Sequence, residues 1–348
     1  MLLIRILLLL ALLLPWVSCT ERPIQQFNRA MSDGRYDSEF PSQNSSREIA
    51  TIAGSVMKLY SIARYTTYQF TREIHVTRHV IQSGSFRRLA FGVISTSETT
   101  FGTATILFRD ENRIALLTCA HLVNAPDTLY SWHDPVSHDP GQYVRSIAIK
   151  ERQEHYIREL ASCGSFGILA IDSGLDVALI GRTCDGLKEE VKPFPYALGA
   201  ATQLEWGCFV YVMGYPLGIP VVTKGIVSAP NNTPRGGFTI DALLNKGFSG
   251  GIILAIRDGI PNFELVGIVR SIASEREYYL KPEDPFGTRE YSPHIPFRGD
   301  PYVETREFIT YGVNYIVPIE VIRDFYRENR EIMINSGYNL DAINSSPD

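Results

Sequence analysis

Asn245-Lys246-Gly247-Phe248-Ser249-Gly250-Gly251 sets a hydroxyl among glycines in the pattern G-x-S-G-G. Gly247 has no side chain to block approach, so its N–H and that of Ser249 can both point at one oxygen. Two donors so placed form an oxyanion hole, which stabilises negative charge only as it develops in a transition state. The glycines after the serine let the backbone turn sharply and pass close to a neighbouring strand. G-S-G-G also occurs in turns and linkers. Here, however, Ile240-Asp241-Ala242-Leu243-Leu244 precedes the run and Ile252-Ile253-Leu254-Ala255-Ile256 follows it. Two apolar flanks argue against a linker.

A serine hydroxyl is a poor nucleophile until a base removes its proton. The best-placed histidine is His121, which ends the apolar run Ile114-Ala115-Leu116-Leu117-Thr118-Cys119-Ala120 and precedes the turn residues Asn124 and Pro126. The best carboxylate is Asp176, in Gly174-Leu175-Asp176-Val177-Ala178-Leu179-Ile180. An aspartate within an apolar strand is costly to bury without a partner. An imidazole N–H would satisfy it and leave the other ring nitrogen free as base. Asp172, in the turn-like Ile171-Asp172-Ser173-Gly174, is the rival carboxylate. His121, Asp176 and Ser249 follow in that order, 55 and 73 residues apart. Of the three triad orders, this is the chymotrypsin one.

The chain resembles a trypsin-like serine protease of the HtrA/Deg type, over roughly residues 90 to 330. Phe101-Gly102-Thr103-Ala104-Thr105-Ile106 is similar to that family's Gly-rich strand ahead of the histidine. Leu198-Gly199-Ala200 through Gly207, with Gly214-Tyr215-Pro216-Leu217-Gly218, resembles its "LG…G…GNPFG" segment, and Val222-Thr223-Lys224-Gly225-Ile226-Val227-Ser228 its "VTxGIVS" strand pair. Ile240-Asp241-Ala242 with Asn245 resembles the "TDAAIN" approach to the serine, while Val266-Gly267-Ile268 and Val313-Asn314-Tyr315-Ile316-Val317-Pro318 look like the last barrel strands.

The resemblance implies an all-β fold of two antiparallel barrels, with the site in the cleft between them. It implies peptide-bond hydrolysis by His121, Asp176 and Ser249, with Gly247 and Ser249 as oxyanion donors, and neither cofactor nor metal. Leu243 falls at the base of the primary pocket, where trypsin has an acid; an apolar floor predicts cleavage after small or medium apolar residues. The chain departs from the family at Lys246, at Phe248 and at Ile252, where proline is common. A phenyl ring cannot accept the new N-terminus that trypsin-like zymogens bury there, so activation by N-terminal insertion is not expected. The departure at Phe248 also defines the alternative, an idle protease scaffold that binds or chaperones proteins. A hydrolase of non-peptide acyl substrates is a third possibility for the same triad.

With 348 residues, 45% of them apolar, and a net charge of −5, the chain is an ordinary globular protein with enough length for real cores. Lys and Arg are scattered rather than clustered, so protein or peptide substrates are expected and nucleic acid is not. Residues 1–19 carry Arg5, an apolar run Ile6–Leu14 and Ser18-Cys19, the layout of a signal peptide. Ser18-Cys19 also resembles a bacterial lipoprotein cleavage site, apart from Trp16. Export is therefore expected, to a periplasmic, secreted or lipid-anchored location, with Cys19 as a possible membrane tether. Cys119, Cys163, Cys184 and Cys208 permit up to two disulfides in no assignable pairing.

Residues 20–80 read as a polar arm followed by a helix over about 46–63, on the helical spacing of Ile49, Ile52, Ala53, Val56, Met57 and Tyr60. Short β-prone runs follow at 73–82, 89–96, 102–109, 113–119, 143–149, 166–171 and 175–181, and again at 208–213, 219–227, 237–240, 251–256, 264–269 and 313–317. These assign the first barrel to 81–190 and the second to 191–317. The charged, Pro-punctuated stretch 274–310 reads as a loop inserted in the second barrel. Residues 318–348 read as a closing helix and tail, with nothing of PDZ size behind. His133-Asp134-Pro135 and His138-Asp139-Pro140 form a small repeat whose Asp-Pro pairs signal turns rather than a metal site.

Overall fold

The computed structural model of the protein describes residues 32–41, 43–133, 143–187, 191–282, 294 and 301–341; within the long hairpin below, only the backbone of 271–276, 281–282, 301–302 and 304–313 is described. The signal-like segment with Cys19, and His138 of the His-Asp repeat, lie outside these residues.

Two sheets carry the fold. The first is seven-stranded and curls into a half-barrel, in the order β4 (Thr128–Trp132), β5 (Val144–Ile157), β1 (Val56–Gln69), β2 (Gly92–Arg109), β3 (Arg113–Thr118), β7 (Val177–Thr183), β6 (Gly167–Asp172). The second runs β12 (Ile252–Ile256), β9 (Phe209–Gly214), β10 (Val221–Ala229), β11 (Thr239–Ile240), β14 (Pro301–Pro318), β13 (Phe263–Pro282). It closes through β12–β13 pairing into a six-stranded barrel, with β8 (Ala197–Leu198) added parallel to β13. The expected all-β, chymotrypsin-type architecture is what the chain adopts.

β9 and β12 are buried at every position, as are five of the six residues of β3. That is why they read as continuous apolar runs, since both of their faces meet protein. One core joins both sheets and the closing helix α4 (Ile319–Asn335), which buries Ile319, Ile322, Phe325 and Tyr326. A satellite core under β1, β2 and β5 gathers Phe70, Val76, Ile81, Phe86, Val144 and Ile147.

Three expectations are corrected. The first helix, α1 (Ser46–Ala53), stops at Gly54, and residues 56–63 are strand. β1 alternates inward at Leu59, Ser61, Ala63, Tyr65 and Thr67. Its inward residues include small and polar ones while Tyr60 and Ile62 lie outward, so the period of two was hidden. The first sheet thus begins inside the stretch expected as arm and helix. Residues 73–82 are not a strand but a short 3-10 turn, Arg72–Ile74, and α2 (Arg78–Gln82). The stretch 274–310 is not an element-free loop, because β13 and β14 pair as far as Pro282↔Pro301.

The polar arm is docked over Asp33–Asp37. Asp37 N–H donates to Ile256 O at 2.9 Å, and the Tyr36 hydroxyl donates to Glu264 Oε2 at 2.6 Å. Arg257 pairs with Glu264 at 2.9 Å and lies 4.1 Å from the Tyr36 ring centre. Burial, then the Glu264 carboxylate, pushes the Tyr36 hydroxyl pKa up. Cys163 and Cys184 form a disulfide, a pair the sequence left open, while Cys119 and Cys208 are free and buried.

Candidate active site

His121 leaves β3 through α3 (Ala120–Val123), a single turn that lifts the imidazole out of the core; its side chain is 43% exposed. Nδ1 lies 2.9 and 3.0 Å from the two Asp176 carboxylate oxygens, and the His121 backbone N–H donates to Oδ1 at 2.9 Å. The carboxylate therefore grips both ring and main chain, which fixes the imidazole's orientation and turns Nε2 away from it.

Asp176 sits ahead of β7 rather than inside it, with φ of 60°. Aspartate is among the few non-glycine residues that enter this region readily. The turn leading there is closed by Asp172, whose Oδ1 accepts from Gly174 N–H at 2.8 Å and Leu175 N–H at 2.9 Å. The rival carboxylate is thus a turn-former that delivers Asp176. A third group faces the site: Arg270 Nε lies 3.6 Å from Asp176 Oδ2. Nothing in sequence spacing pointed to it.

Ser249 reaches this site through its backbone. Its carbonyl accepts from Thr103 N–H at 2.8 Å. A Cβ at Gly102 would lie 2.4 Å from Leu122, in the histidine turn, and 3.0 Å from Ser249 O. One glycine therefore separates the two sheets' contributions. Behind the serine, Gly250 N–H donates to Val269 O at 2.8 Å, and the Cys119 thiol donates to the same carbonyl at 3.2 Å. Burial, then the Asp176 charge, holds the Cys119 thiol well above its ordinary pKa. The ligand atoms of Cys119, His121 and Asp176 lie within 4.8 Å of one another, with the thiol bonded to Val269 O and the carboxylate to the His121 ring.

The expected oxyanion donors have a clear arrangement. Lys246 O accepts from Leu217 N–H at 3.3 Å, and Phe248 O accepts from Gly251 N–H at 2.7 Å. In a trans peptide the N–H points opposite to the carbonyl, so the N–H groups of Gly247 and Ser249 are both directed away from these tied-back carbonyls. Among the described residues neither has an acceptor. Gly247 has φ of 105°, and a Cβ there would meet Tyr215 O at 2.5 Å, so no other residue fits. Thr103 Oγ1 donates to Gly247 O at 2.9 Å and accepts Tyr215 N–H at 2.9 Å, bracing both walls. Phe248 points inward and is 2% exposed, leaving these backbone donors in place.

Leu243 is 67% exposed, on a segment held by Asn314, whose side-chain amide donates to Ala242 O at 2.8 Å. A cavity of about 340 Å³ opens beside His121 and Asp176, bordered by Asn124, Pro126 and Ser173. His133 of the His-Asp repeat bonds Phe70 O through Nε2 at 3.1 Å, which ties down a strand end. Among the described residues the Ser249 hydroxyl and His121 Nε2 make no hydrogen bond, a contact that often tightens only when substrate binds.

A curled β-sheet and a closed β-barrel meeting at a histidine–aspartate pair and a glycine-flanked serine define a protein of the serine-protease fold. Residues 102–268 match the model of the trypsin-like peptidase domain. One solved structure it resembles is that of Deg5, at 15% identity and a TM-score of 0.35, covering 65% of this chain and 83% of that one. No curated protein matches the chain.

Proposed function

We propose that the chain is an exported, HtrA/Deg-type serine endopeptidase that cleaves peptide bonds after small or medium apolar residues. Ser249 attacks the scissile carbonyl, and His121 takes its proton and returns it to the leaving amine. Asp176 holds the imidazole and stabilises its charged form, while the N–H groups of Gly247 and Ser249 hold the oxyanion. The observation that carries this reading is the two-point grip of Asp176 on His121, ring and main chain together, within one glycine of the Ser249 backbone. A fluorophosphonate probe tests it: the protein is labelled, and Ser249→Ala abolishes both labelling and turnover while the fold persists. Labelling of Ser249→Ala to the same extent would defeat the assignment.

Selectivity is read in a peptide panel varying the residue before the scissile bond. The exposed Leu243 offers no counter-charge, so Ala, Val or Leu there is expected to exceed Arg by at least about tenfold, because a desolvated guanidinium needs a partner. Equal cleavage after Arg would overturn this. Export rests on residues 1–19, and is checked by the mature N-terminus of protein from the envelope fraction; Cys19 carrying lipid would appear there as an added mass. Among the described residues no helix is long and apolar enough to cross a membrane.

The open contact between Ser249 and His121 favours a second reading, an idle scaffold that binds unfolded protein. Absence of probe labelling in folded protein would select it.

A further inference from the structure

β2 pairs with β1 from Gly92 to Thr105, but its other side pairs with β3 only from Thr105 to Arg109. Thr103 shows which main-chain groups face that other side. Its N–H donates to Ser249 O at 2.8 Å, and its carbonyl accepts from the Thr118 hydroxyl at 2.8 Å. The register with β1 is unbroken from Gly92 to Thr105, so facing alternates regularly along it. Val93, Ser95, Ser97, Thr99 and Phe101 therefore turn their N–H and C=O groups outward as Thr103 does. Among the described residues no ladder partner meets them.

Such an edge is a template for another strand, and proteins usually blunt one with lysine, proline, a bulge or a cover. Gly92–Gly102 reads Gly-Val-Ile-Ser-Thr-Ser-Glu-Thr-Thr-Phe-Gly, with Glu98 as its one charge and no proline. Val93, Ile94 and Phe101 are 56%, 45% and 41% exposed. The stretch is also close to symmetric about Ser97: glycines stand five residues away on either side, Val93 mirrors Phe101, and Ser95 mirrors Thr99. An edge of that kind is complementary to itself when turned through a two-fold axis.

We propose that β2 is the two-fold interface of a homodimer, in which the Gly92–Gly102 edges of two copies pair antiparallel about Ser97. The outward residues then meet outward residues, as an antiparallel ladder requires. Each of the five gives and takes one main-chain bond, so the ladder holds about ten. Phe101 comes to lie opposite the second copy's Val93. Because Phe101 pairs with Tyr60 and Val93 with Tyr68 inside each sheet, an apolar row Tyr60–Phe101–Val93–Tyr68 crosses four strands, and the axis repeats it. Aromatic and β-branched cross-strand neighbours of this type stabilise sheets. Glu98 falls opposite the second copy's Thr96, so the like charges are not directly opposed. The two half-barrels thereby become one continuous sheet through β2. The inference goes beyond the endopeptidase reading and does not rest on it.

The test is sedimentation of the unaltered chain across a concentration series, with two charge variants at the axis. Ser97 is exposed, and Ser97→Glu or Ser97→Lys sets like charges directly across the two-fold. Each is expected to raise the dimer dissociation constant at least about tenfold while leaving far-UV dichroism unchanged. An equimolar mixture of the two opposes unlike charges and is expected to recover the dimer. Hydrogen exchange on the unaltered chain covers the case in which a variant fails to fold. There, the amides of Val93, Ser95, Ser97, Thr99 and Phe101 are expected to lose protection on dilution, while those of the alternate residues bonded to β1 keep it. A monomer at all concentrations overturns the proposal. So does an oligomer that neither variant weakens, or a mixture that fails to recover the dimer. Protection of the five amides by an added extended peptide, in protein that stays monomeric, would give the edge to another chain and overturn it as well.

Discussion

The residue that most sharply separates geometry from chemistry is Asp176. Its carboxylate accepts from the ring and the main chain of His121 at once. Asp176→Asn keeps the shape but replaces one acceptor oxygen by an N–H₂ group. The amide oxygen can still accept the main-chain N–H, so the fold and the turn persist. The ring then meets either a donor, which selects the wrong tautomer, or a neutral acceptor that no longer stabilises an imidazolium. The expected outcome is a fall in kcat of about 10³- to 10⁴-fold with little change in KM, measured on the best peptide of the selectivity panel beside an unfolding curve. Equal losses in kcat and in thermal stability would mean that Asp176 serves the turn rather than the reaction. At this scale the sequence was informative because each candidate came with local context: a strand end for His121, apolar neighbours for Asp176, glycines for Ser249. Arg270 and Thr103 were illegible because their contacts cross between sheets. Arg270 meets Asp176 from 94 residues away, and Thr103 meets Gly247 from 144.

Among elements, those that read correctly were buried on both sides. β9 and β12 present apolar residues at every position, so no phase had to be chosen. α4 was legible for a different reason, since its apolar residues recur at helical spacing against an otherwise charged sequence. β1 failed because its sheet-facing positions hold Ser61, Ala63 and Thr67, leaving the outward Tyr60 and Ile62 to complete a false helical stripe. The long β13–β14 hairpin failed because its described outer side chains, residues 277–280 and Val303, are exposed and show no core face to pattern it. The Cys163–Cys184 bridge could not be read either, because four thiols leave the pairing open. That bridge joins the 3-10 turn Arg158–Cys163, after β5, to the residue following β7. It closes a loop, with a sequence separation of 21, that contains the whole β6–β7 hairpin and Asp176. Reduction is therefore expected to lower stability by about 2–4 kcal/mol and to shift the melting midpoint downward in dithiothreitol. Cys163→Ser with Cys184→Ser should melt at the reduced value and ignore the reductant; an unchanged midpoint would show that the bridge adds nothing to the fold.

For the molecule as a whole, stability depends on pH through a buried histidine far from the proposed reaction. His155 lies in β5, 4% exposed, with Nδ1 at 3.0 Å from the Ser61 hydroxyl of β1. Burial, then the nearby Lys150 charge, lowers its pKa from 6.5 to about 4. The unfolded chain, with the ordinary value, binds this proton first as pH falls. Between about 6.5 and 4 the unfolded state therefore holds more protons than the folded one, and stability declines as pH drops through that window. Above 6.5 both states leave the ring neutral, and below 4 both charge it, so the contribution of His155 is flat on either side. The full depression corresponds to at most about 3 kcal/mol at the acid end. β1 and β5 are the two strands that hold the half-barrel's open side to the rest of its sheet, so protonation here loosens the sheet that supplies His121. The expected result is a urea midpoint that falls between pH 7 and pH 4 and a shallower fall for His155→Gln, whose amide can still bond Ser61 without titrating. Identical slopes for the two proteins would assign the acid sensitivity to carboxylates instead.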